Sequence, residues 1–390
     1  MPWQEVSIMD QRREFIALAL KEGANRRELC RRFGISPQTA YKWLSRHAAG
    51  EDCLEDRSRR PHCSPLRSGP PIEAPVLAIR DAHPAWGARK IARCLERDGH
   101  TIPALSTIHA ILKRHNRIDP PAGSPGTPYQ RFERPAPNLM WQMDFKGHMP
   151  LGDRTDCHPL TIIDDHSRYA VCLRACANEQ TGTVQGALET TFRRYGLPEA
   201  ILADNGSPWG DGPYRGWTKL GVWLLKLGIG VLHGRPYHPQ THGKNERFNR
   251  TLKDEVFALR RFQSLADVQR ALDGWRDVYN LQRPHEALGQ EVPASRYQPS
   301  PQAMPDRLPE VEYDEREIVR RVCAIRSYIS FKGQSWRIPK AFRGERVAIR
   351  PRAEGRYAVC FGAHQIAEID LTKHKGVSHV SEQASTMSPG

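Results

Sequence analysis

From position 139 the chain turns into short apolar runs broken by turn residues, and this stretch limits the fold more than any other. "LMWQMDFKG", "PLTIIDD" and "RYAVCLRACA" read as three strands separated by turn signals. An amphipathic helix, "TGTVQGALETTFRRYG", is followed by a fourth strand, "EAILADNG", a second helix, "GWTKLGVWLLKLG", and a short strand, "IGVLHG". Three antiparallel strands followed by alternating helix and strand predict a mixed sheet with helices on its faces. The longest apolar run, "GVWLLKLGIGVL", is interrupted by Lys226 and is too short to span a bilayer. The first residues, "MPWQEVSIMDQRREF", lack a signal-peptide core, so the expectation is a soluble, cytoplasmic chain with no membrane partner.

The flanks differ in texture. Residues 1–50 read as a helix-turn-helix unit: "QRREFIALALKEG", "NRRELCRRFGI" and "SPQTAYKWLSRH", with Gly34 ending the second helix, Ser36 as N-cap and Pro37 opening the third. Ala40, Trp43 and Leu44 face inward, which leaves Gln38, Thr39, Tyr41, Lys42 and Arg46 outward as the set that reaches phosphates and base edges. After a charged linker, 51–72, a second helix-turn-helix-like unit fills 73–118, with Ser106 as cap and Ile108, Ile111 and Leu112 inward. A proline-rich linker, 119–138, leads to the central unit, 139–290, and a further linker, 291–310, follows it. Period-two runs such as "RVAIRP" and "RYAVCF" predict a small C-terminal β-barrel at 311–374, and 375–390 reads as a disordered tail. A multidomain chain is therefore expected.

With 58 Lys and Arg against 44 Asp and Glu, the net charge of +14 points to a polyanionic partner such as nucleic acid. The nine cysteines include no C-x-x-C pair, which fits buried thiols in a reducing compartment.

Against this cationic background three carboxylates take comparable places. Asp144 lies in the first strand, where alternation turns it away from Met143 and Phe145. Asp204 stands at the exit of the fourth strand before an Asn-Gly turn, at the sheet edge where α/β folds place ligands. Glu246 lies in the first turns of the helix begun by "HGKNERFNRTLKDE". If the first and fourth strands are neighbours, all three converge. Converging carboxylates repel unless a cation lies between them, and hard oxygen ligands with open positions suit Mg²⁺ or Mn²⁺. Two such ions would activate one oxygen and stabilise another in an in-line displacement at phosphorus. Lys244, Asn249, Arg250 and Lys253 beside Glu246 are expected to grip the DNA backbone, while Phe248, Leu252 and Val256 bury the opposite face.

"WQMDFKG", "TIIDDHSRYAV", "ILADNGSPW", "RPYHPQTHGKNERFNRTLKDE" and "YNLQRPHEALG", in this order, resemble the signatures of bacterial insertion-sequence transposases with a retroviral-integrase-type core, the DDE recombinases. The resemblance covers roughly 139 to 290. It implies a ribonuclease-H-like fold, a metal-binding triad of Asp144, Asp204 and Glu246, and cleavage at transposon ends followed by strand transfer through a 3′-hydroxyl. Duplex DNA is the expected partner, bound by a homo-oligomer. Two departures stand out. The interval between Asp204 and Glu246 is longer than the commonest family spacing, leaving the helix at 215–227 as a partial insertion, and no His/Cys spacing matches the amino-terminal zinc module of retroviral integrases. A DNA-binding repressor with a vestigial core and a nuclease on the same fold are the alternative functions.

Asp164 and Asp165 read first as turn caps near Arg168, with a direct metal role as the alternative. His238 and His242 read as loop-ordering residues, and Trp209, Trp217 and Trp223 as packing residues.

Overall fold

The computed structural model describes residues 7–50, 54–56, 67–118, 133–204, 206–210, 216–233, 243–353 and 355–372. The chain divides into two compact units, Met1–Arg67 and Ser68–Gly390. The expected tail at 375–390, and most of the linkers before 72 and before 138, lie outside the described residues.

The first unit is a three-helix cluster, α1 (Ile8–Ala19), α2 (Arg26–Arg32) and α3 (Pro37–Ala48). Gly34 takes φ +60°, a conformation that ends α2 without the cost a side chain would bring there. The Ser36 hydroxyl then accepts from Thr39 N at 3.2 Å, satisfying a free amide at the start of α3. Phe15, Ile16, Ala19, Cys30, Ala40 and Trp43 form the core, and Leu54 completes it, so the unit runs past position 50. Arg12 fastens that extension by lying over the Trp43 ring (4.1 Å) and donating to Leu54 O (2.6 Å).

The second unit opens with α4 (Pro70–Ala82), α5 (Ala88–Arg97) and α6 (Leu105–Arg114), packed around Val76, Ile91, Leu95 and the expected Ile108, Ile111 and Leu112. Ser106 is not the cap of α6: the helix begins one residue earlier with Ala104 at the N-cap and no side-chain cap.

Its main sheet is built from β1 (Trp141–Phe145), β3 (Asp156–Asp164), β4 (Ala170–Cys176), β5 (Ala200–Ala203) and β6 (Gly230–His233), in the order β4-β3-β1-β5-β6. A two-residue β2 (Met149–Pro150) pairs with the start of β3. β3 is antiparallel to β1 and β4, whereas β1 and β5 run parallel with Trp141 opposite Ile201. The mixed sheet and the adjacency of the two carboxylate-bearing strands are as expected.

Strand alternation fills both faces. Trp141, Met143, Leu160 and Ile162 turn to α7 (Thr181–Tyr195) and α8 (Lys219–Lys226), meeting Leu188, Phe192, Leu220 and Trp223. Ile163, Ala170 and Leu173 turn to α9 (Gly243–Leu252) and α10 (Leu265–Leu281), meeting Phe248, Leu252, Leu272 and Trp275. The open edge at β4 is capped by two amide side chains of α10. Asn280 exchanges hydrogen bonds with Ala170, and Gln269 accepts from Ala175 N (2.9 Å) while donating to Leu173 O (3.2 Å).

Two features of the helix 215–227 and the segment after 311 correct the reading above. Val222 and Leu225 of α8 belong to the C-terminal apolar core with Val322 and Phe342, while its Leu220 and Trp223 enter the central one. Lys226 adds an ion pair to Glu345 at 2.8 Å. The extra helix is thus a joint. The expected C-terminal β-barrel is not formed: β7 (Ile318–Arg321), β10 (Arg346–Pro351), β11 (Arg356–Phe361) and β12 (His364–Asp370) make an open antiparallel sheet, and β8 (Tyr328–Phe331) pairs only with β9 (Gln334–Arg337). Period two is common to open and closed sheets; here the apolar face is covered by the hairpin and by α8, which removes the need to close.

Candidate active site

Asp144 sits on β1 opposite Thr161, and Asp204 lies just past the end of β5, so the sheet brings the two to neighbouring strands. Asp144 is half-buried; Asp204 and Glu246 are exposed. Burial, followed by the charge of Asp204 and, more weakly, that of Glu246, pushes the Asp144 carboxyl up to about 6. Asp144 therefore feels the charge of both other carboxylates. Among the described residues, no three His, Cys, Asp or Glu side chains are already set to hold one ion.

Each carboxylate is positioned differently. Asn249 Nδ2 donates to Asp144 Oδ2 at 2.9 Å, and its own Oδ1 is buried without a partner. Gly206 N donates to Asp204 Oδ1 at 2.9 Å, and His233 Nδ1 lies 2.8 Å from Asp204 O, so the turn after β5 is fixed from both sides. Glu246 depends on α9, which is pinned along its length. Phe248 and Leu252 enter the core, and Thr161 donates to both Asp144 O (3.0 Å) and Asn245 Oδ1 (3.2 Å).

The start of α9 is held by an ion pair that the sequence reading did not find. Lys244 Nζ lies 2.6 Å from Asp165 Oδ1, and Asp165, fully buried, also accepts from Gln142 Nε2 (2.7 Å) and Arg134 N (2.8 Å). Lys244, expected on DNA, is instead engaged inside the protein, because a carboxylate with no access to water is costly unless donors surround it. Its burial outweighs that partner and lowers its ammonium to about 8. Asp164 is a turn cap, accepting from Ser167 N (2.8 Å), Ser167 Oγ (2.6 Å) and Asn138 N (2.8 Å). The Arg168 side chain pairs with Glu133 at 2.7 Å, and its charge adds to burial in lowering the Lys244 ammonium.

Of the other residues expected on DNA, Asn249 orients Asp144, and Arg250 and Lys253 are exposed. Lys253 does not continue the α-helical face: α9 ends at Leu252 and Lys253–Phe257 form a π-helical turn, whose wider spacing rotates the residues after it. Lys146, just after Asp144 on the chain, has its ammonium lowered by burial and by the charge of Lys253, so the two cations share one place. Lys146 lies within "WQMDFKG", where no neighbouring residue marks it as functional. On α3, Gln38, Tyr41 and Lys42 are exposed, whereas Thr39 is drawn into the cap with Ser36 (2.9 Å) and Arg46 lies over Trp43 (4.8 Å). Trp209 stacks on Phe145 at 5.6 Å and Trp223 on Phe192 at 5.9 Å, as packing residues. His238 and His242 lie outside the described residues.

Comparison with known proteins finds matches along most of the chain. Models described as "Integrase core domain" match residues 134–239 and 227–293. "IS481 family transposase, C-terminal domain" matches 317–376, "Helix-turn-helix domain" 11–62 and "Homeodomain-like domain" 39–112. An uncharacterized 31.7 kDa protein of insertion element IS407 from Burkholderia multivorans is 29% identical over 58% of the chain and 82% of its own length. An uncharacterized 39.2 kDa protein of insertion element IS476 from Xanthomonas euvesicatoria is 30% identical over 40% of the chain, which spans under half (44%) of that relative. The HTLV-2 integrase catalytic core domain, solved in complex with magnesium, aligns with 42% of the chain and 99% of its own at 17% identity and a TM-score of 0.33, too low to bear on the argument. No helix among the described residues is long and apolar enough to cross a membrane. With its helix-turn-helix domains, integrase core and transposase C-terminal domain in order, the chain has the make-up of a bacterial insertion-sequence transposase with an integrase-type core.

Proposed function

We propose that the chain is a DNA transposase that binds the ends of its insertion sequence, cuts a strand there and joins the freed 3′-hydroxyl to target DNA, with Asp144, Asp204 and Glu246 as its catalytic carboxylates. The observation that carries this reading is the Asp144 carboxyl, raised by burial and by the other two acids within a chain of net charge +14. A raised acid facing two exposed acids is an arrangement that a cation would relieve. The donor set fits a hard divalent ion: three carboxylates, no thiol, and the unpartnered Asn249 Oδ1 beside them. Asp144, Asp204 and Glu246 would hold Mg²⁺ or Mn²⁺, two ions per site, which when bound would activate the attacking oxygen and stabilise the leaving one.

The chain's own residues orient these groups. Asn249 fixes one oxygen of Asp144, Gly206 N fixes one of Asp204, and the Lys244–Asp165 pair fixes the start of α9 and hence the track of Glu246. Lys146, Arg250 and Lys253 supply positive charge for the strand being cut. The exposed face of α3 reads the ends, and a homo-oligomer would hold two of them together. In the reaction an oxygen of water, and later the 3′-hydroxyl, forms a bond to phosphorus while the bond to the 3′-oxygen of the cut strand breaks; no covalent link to the protein is needed.

The test is incubation of the purified chain with Mg²⁺ and end-labelled DNA from the flanks of its gene. Asp144→Asn, Asp204→Asn and Glu246→Gln should each abolish cleavage and leave DNA retardation nearly intact. Full activity in EDTA, or in any of the three variants, would sink the assignment. Retardation without any cleavage by the unmodified chain would favour a repressor.

A further inference from the structure

A half-open cleft of about 300 Å³ lies where β4, the edge strand of the main sheet, meets α7 on one side and α10 on the other. Two strands, β3 and β1, separate β4 from β5, so the cleft belongs to the side of the sheet away from Asp204. Its walls are partly apolar, with Val171, Leu173 and Tyr195, and are also lined by three cationic residues, Arg174, Arg194 and Arg276. A single carboxylate, Asp273, answers them, 3.8 Å from Arg276. Arg194 lies over the Tyr195 ring at 5.0 Å, a contact that aims the side chain and leaves its charge uncompensated. Among the described residues neither Arg174 nor Arg194 forms an ion pair with a carboxylate.

Three cations and one anion around a small concavity leave a local excess of two positive charges. Bringing such charges together against apolar walls is unfavourable unless an anion is present. Guanidinium groups meet phosphate oxygens through paired, parallel hydrogen bonds, which a flexible ammonium does not match. Sites for whole small molecules start at roughly 300 Å³, so a cleft of this size suits one phosphate group with a small part of what carries it. Gln269 is already committed to the β4 backbone, and Thr190 Oγ1 donates to Gly186 O at 2.9 Å, so charge and not neutral donors would hold the ligand.

We propose that this cleft is a second anion site of the chain, holding a phosphate group through Arg174, Arg194 and Arg276, either free phosphate or a phosphate of a DNA backbone running past the edge strand. It is independent of the three carboxylates and should work without metal.

The experiment is phosphorus NMR titration of inorganic phosphate against the full chain in EDTA and low salt, which silences metal-bound phosphate. Three proteins are compared: the unmodified chain, Arg174→Gln with Arg194→Gln, and Arg26→Gln with Arg27→Gln as a control of equal charge change on the first unit. The cleft variant should lose about tenfold or more in phosphate affinity, as expected when charge-assisted contacts are removed, with an unchanged melting temperature, and the control should not. A short DNA duplex is then added to the unmodified chain. Displacement of phosphate identifies the DNA backbone as the natural source, and its persistence identifies free phosphate. Equal affinity in the cleft variant and the unmodified chain would overturn the proposal. So would a cleft variant that keeps phosphate but falls from a larger assembly to a monomer in sedimentation, which would make this face a contact between copies.

Discussion

Replacing Asp144 by Asn should stabilise the metal-free chain, an unusual outcome for a residue proposed to be catalytic. The carboxyl is raised from 3.8 to about 6, roughly two pH units, and each unit corresponds to about 1.4 kcal/mol. The ceiling is therefore about 3 kcal/mol, and partial exposure of the group brings the expectation to about 1–2 kcal/mol. The sign follows from proton linkage. The folded chain holds this proton more tightly than the unfolded one, so the penalty is absent below about pH 4, grows through the interval up to about 6 and is complete above it. Asn carries no charge, and its amide oxygen can still accept from Asn249 Nδ2. In EDTA at pH 7.5 the Asn variant should melt about 4 °C higher, at about 2–4 °C per kcal/mol for a unit of this size, and the difference should vanish near pH 4. Excess Mg²⁺ should reverse the order, because only the carboxylate gains from the ion. The assay is differential scanning calorimetry at both pH values, with and without Mg²⁺. An Asn variant that melts at or below the unmodified chain in EDTA at pH 7.5 would refute the mutual repulsion on which the site rests.

Lys244→Ala should cost about 3 kcal/mol, since it leaves Asp165 charged, buried and short of its cation; chemical denaturation reads this, and a loss of DNA affinity with unaltered stability would mean that Lys244 faces DNA after all. Arg250→Ala and Lys253→Ala should each lower the slope of log affinity against log salt by about one, without changing Mn²⁺ binding by calorimetry; unchanged slopes would move the DNA path elsewhere. Deleting residues 1–67 should abolish sequence-specific retardation of end DNA while the remaining chain keeps weak, salt-sensitive binding, because phosphate contacts carry no sequence information. Retained end specificity in that truncation would assign recognition to α4–α6. Leu225→Ala should cost about 2–4 kcal/mol and loosen the C-terminal sheet from the core, read as faster proteolysis between 291 and 317.

The parts of the molecule that the sequence made legible are those where one physical rule acts alone. Alternation along "TIIDD" decides that Ile162 and Ile163 go to opposite faces, and both faces are buried. Gly34, Ser36 and Pro37 each act on their nearest backbone neighbours, so the turn before α3 could be read from three letters. What stayed hidden depends on distant partners. Nothing near Lys244 announces Asp165, which is 79 positions earlier, and nothing near Asn249 announces Asp144, 105 positions earlier. The π-helical turn at Lys253 displaced a residue that ideal helix geometry had placed beside Arg250. The open C-terminal sheet escaped because period two reports which face is buried but not what covers it, and the cover, α8, comes from another part of the chain.

The same distant partners explain why, among the described residues, no three acids are already gathered into a single ion site. α9 is anchored by Phe248 and Leu252 in the core, by Lys244 on Asp165, by Asn245 on Thr161 and by Asn249 on Asp144. Five anchoring residues within one short helix leave the backbone of Glu246 little freedom, so its carboxylate approaches or leaves the other two only by side-chain rotation. Repulsion from Asp144 and Asp204 favours the rotamers that point to solvent, in keeping with its exposure. A cation needs to supply only the cost of fixing that side chain, about 1–2 kcal/mol for a glutamate, and not the cost of folding a loop. On the proposed reading the acids would stay apart without an ion, while Asn249, which touches Asp144 from the helix that carries Glu246, ties the spacing of those two residues to a single hydrogen bond. Asn249→Ala should leave the fold intact and weaken Mn²⁺ binding by about tenfold, the lower end of the range for partners that orient metal ligands, in calorimetry on the full chain. Equal Mn²⁺ affinity in that variant would show that Asp144 is oriented by its strand alone.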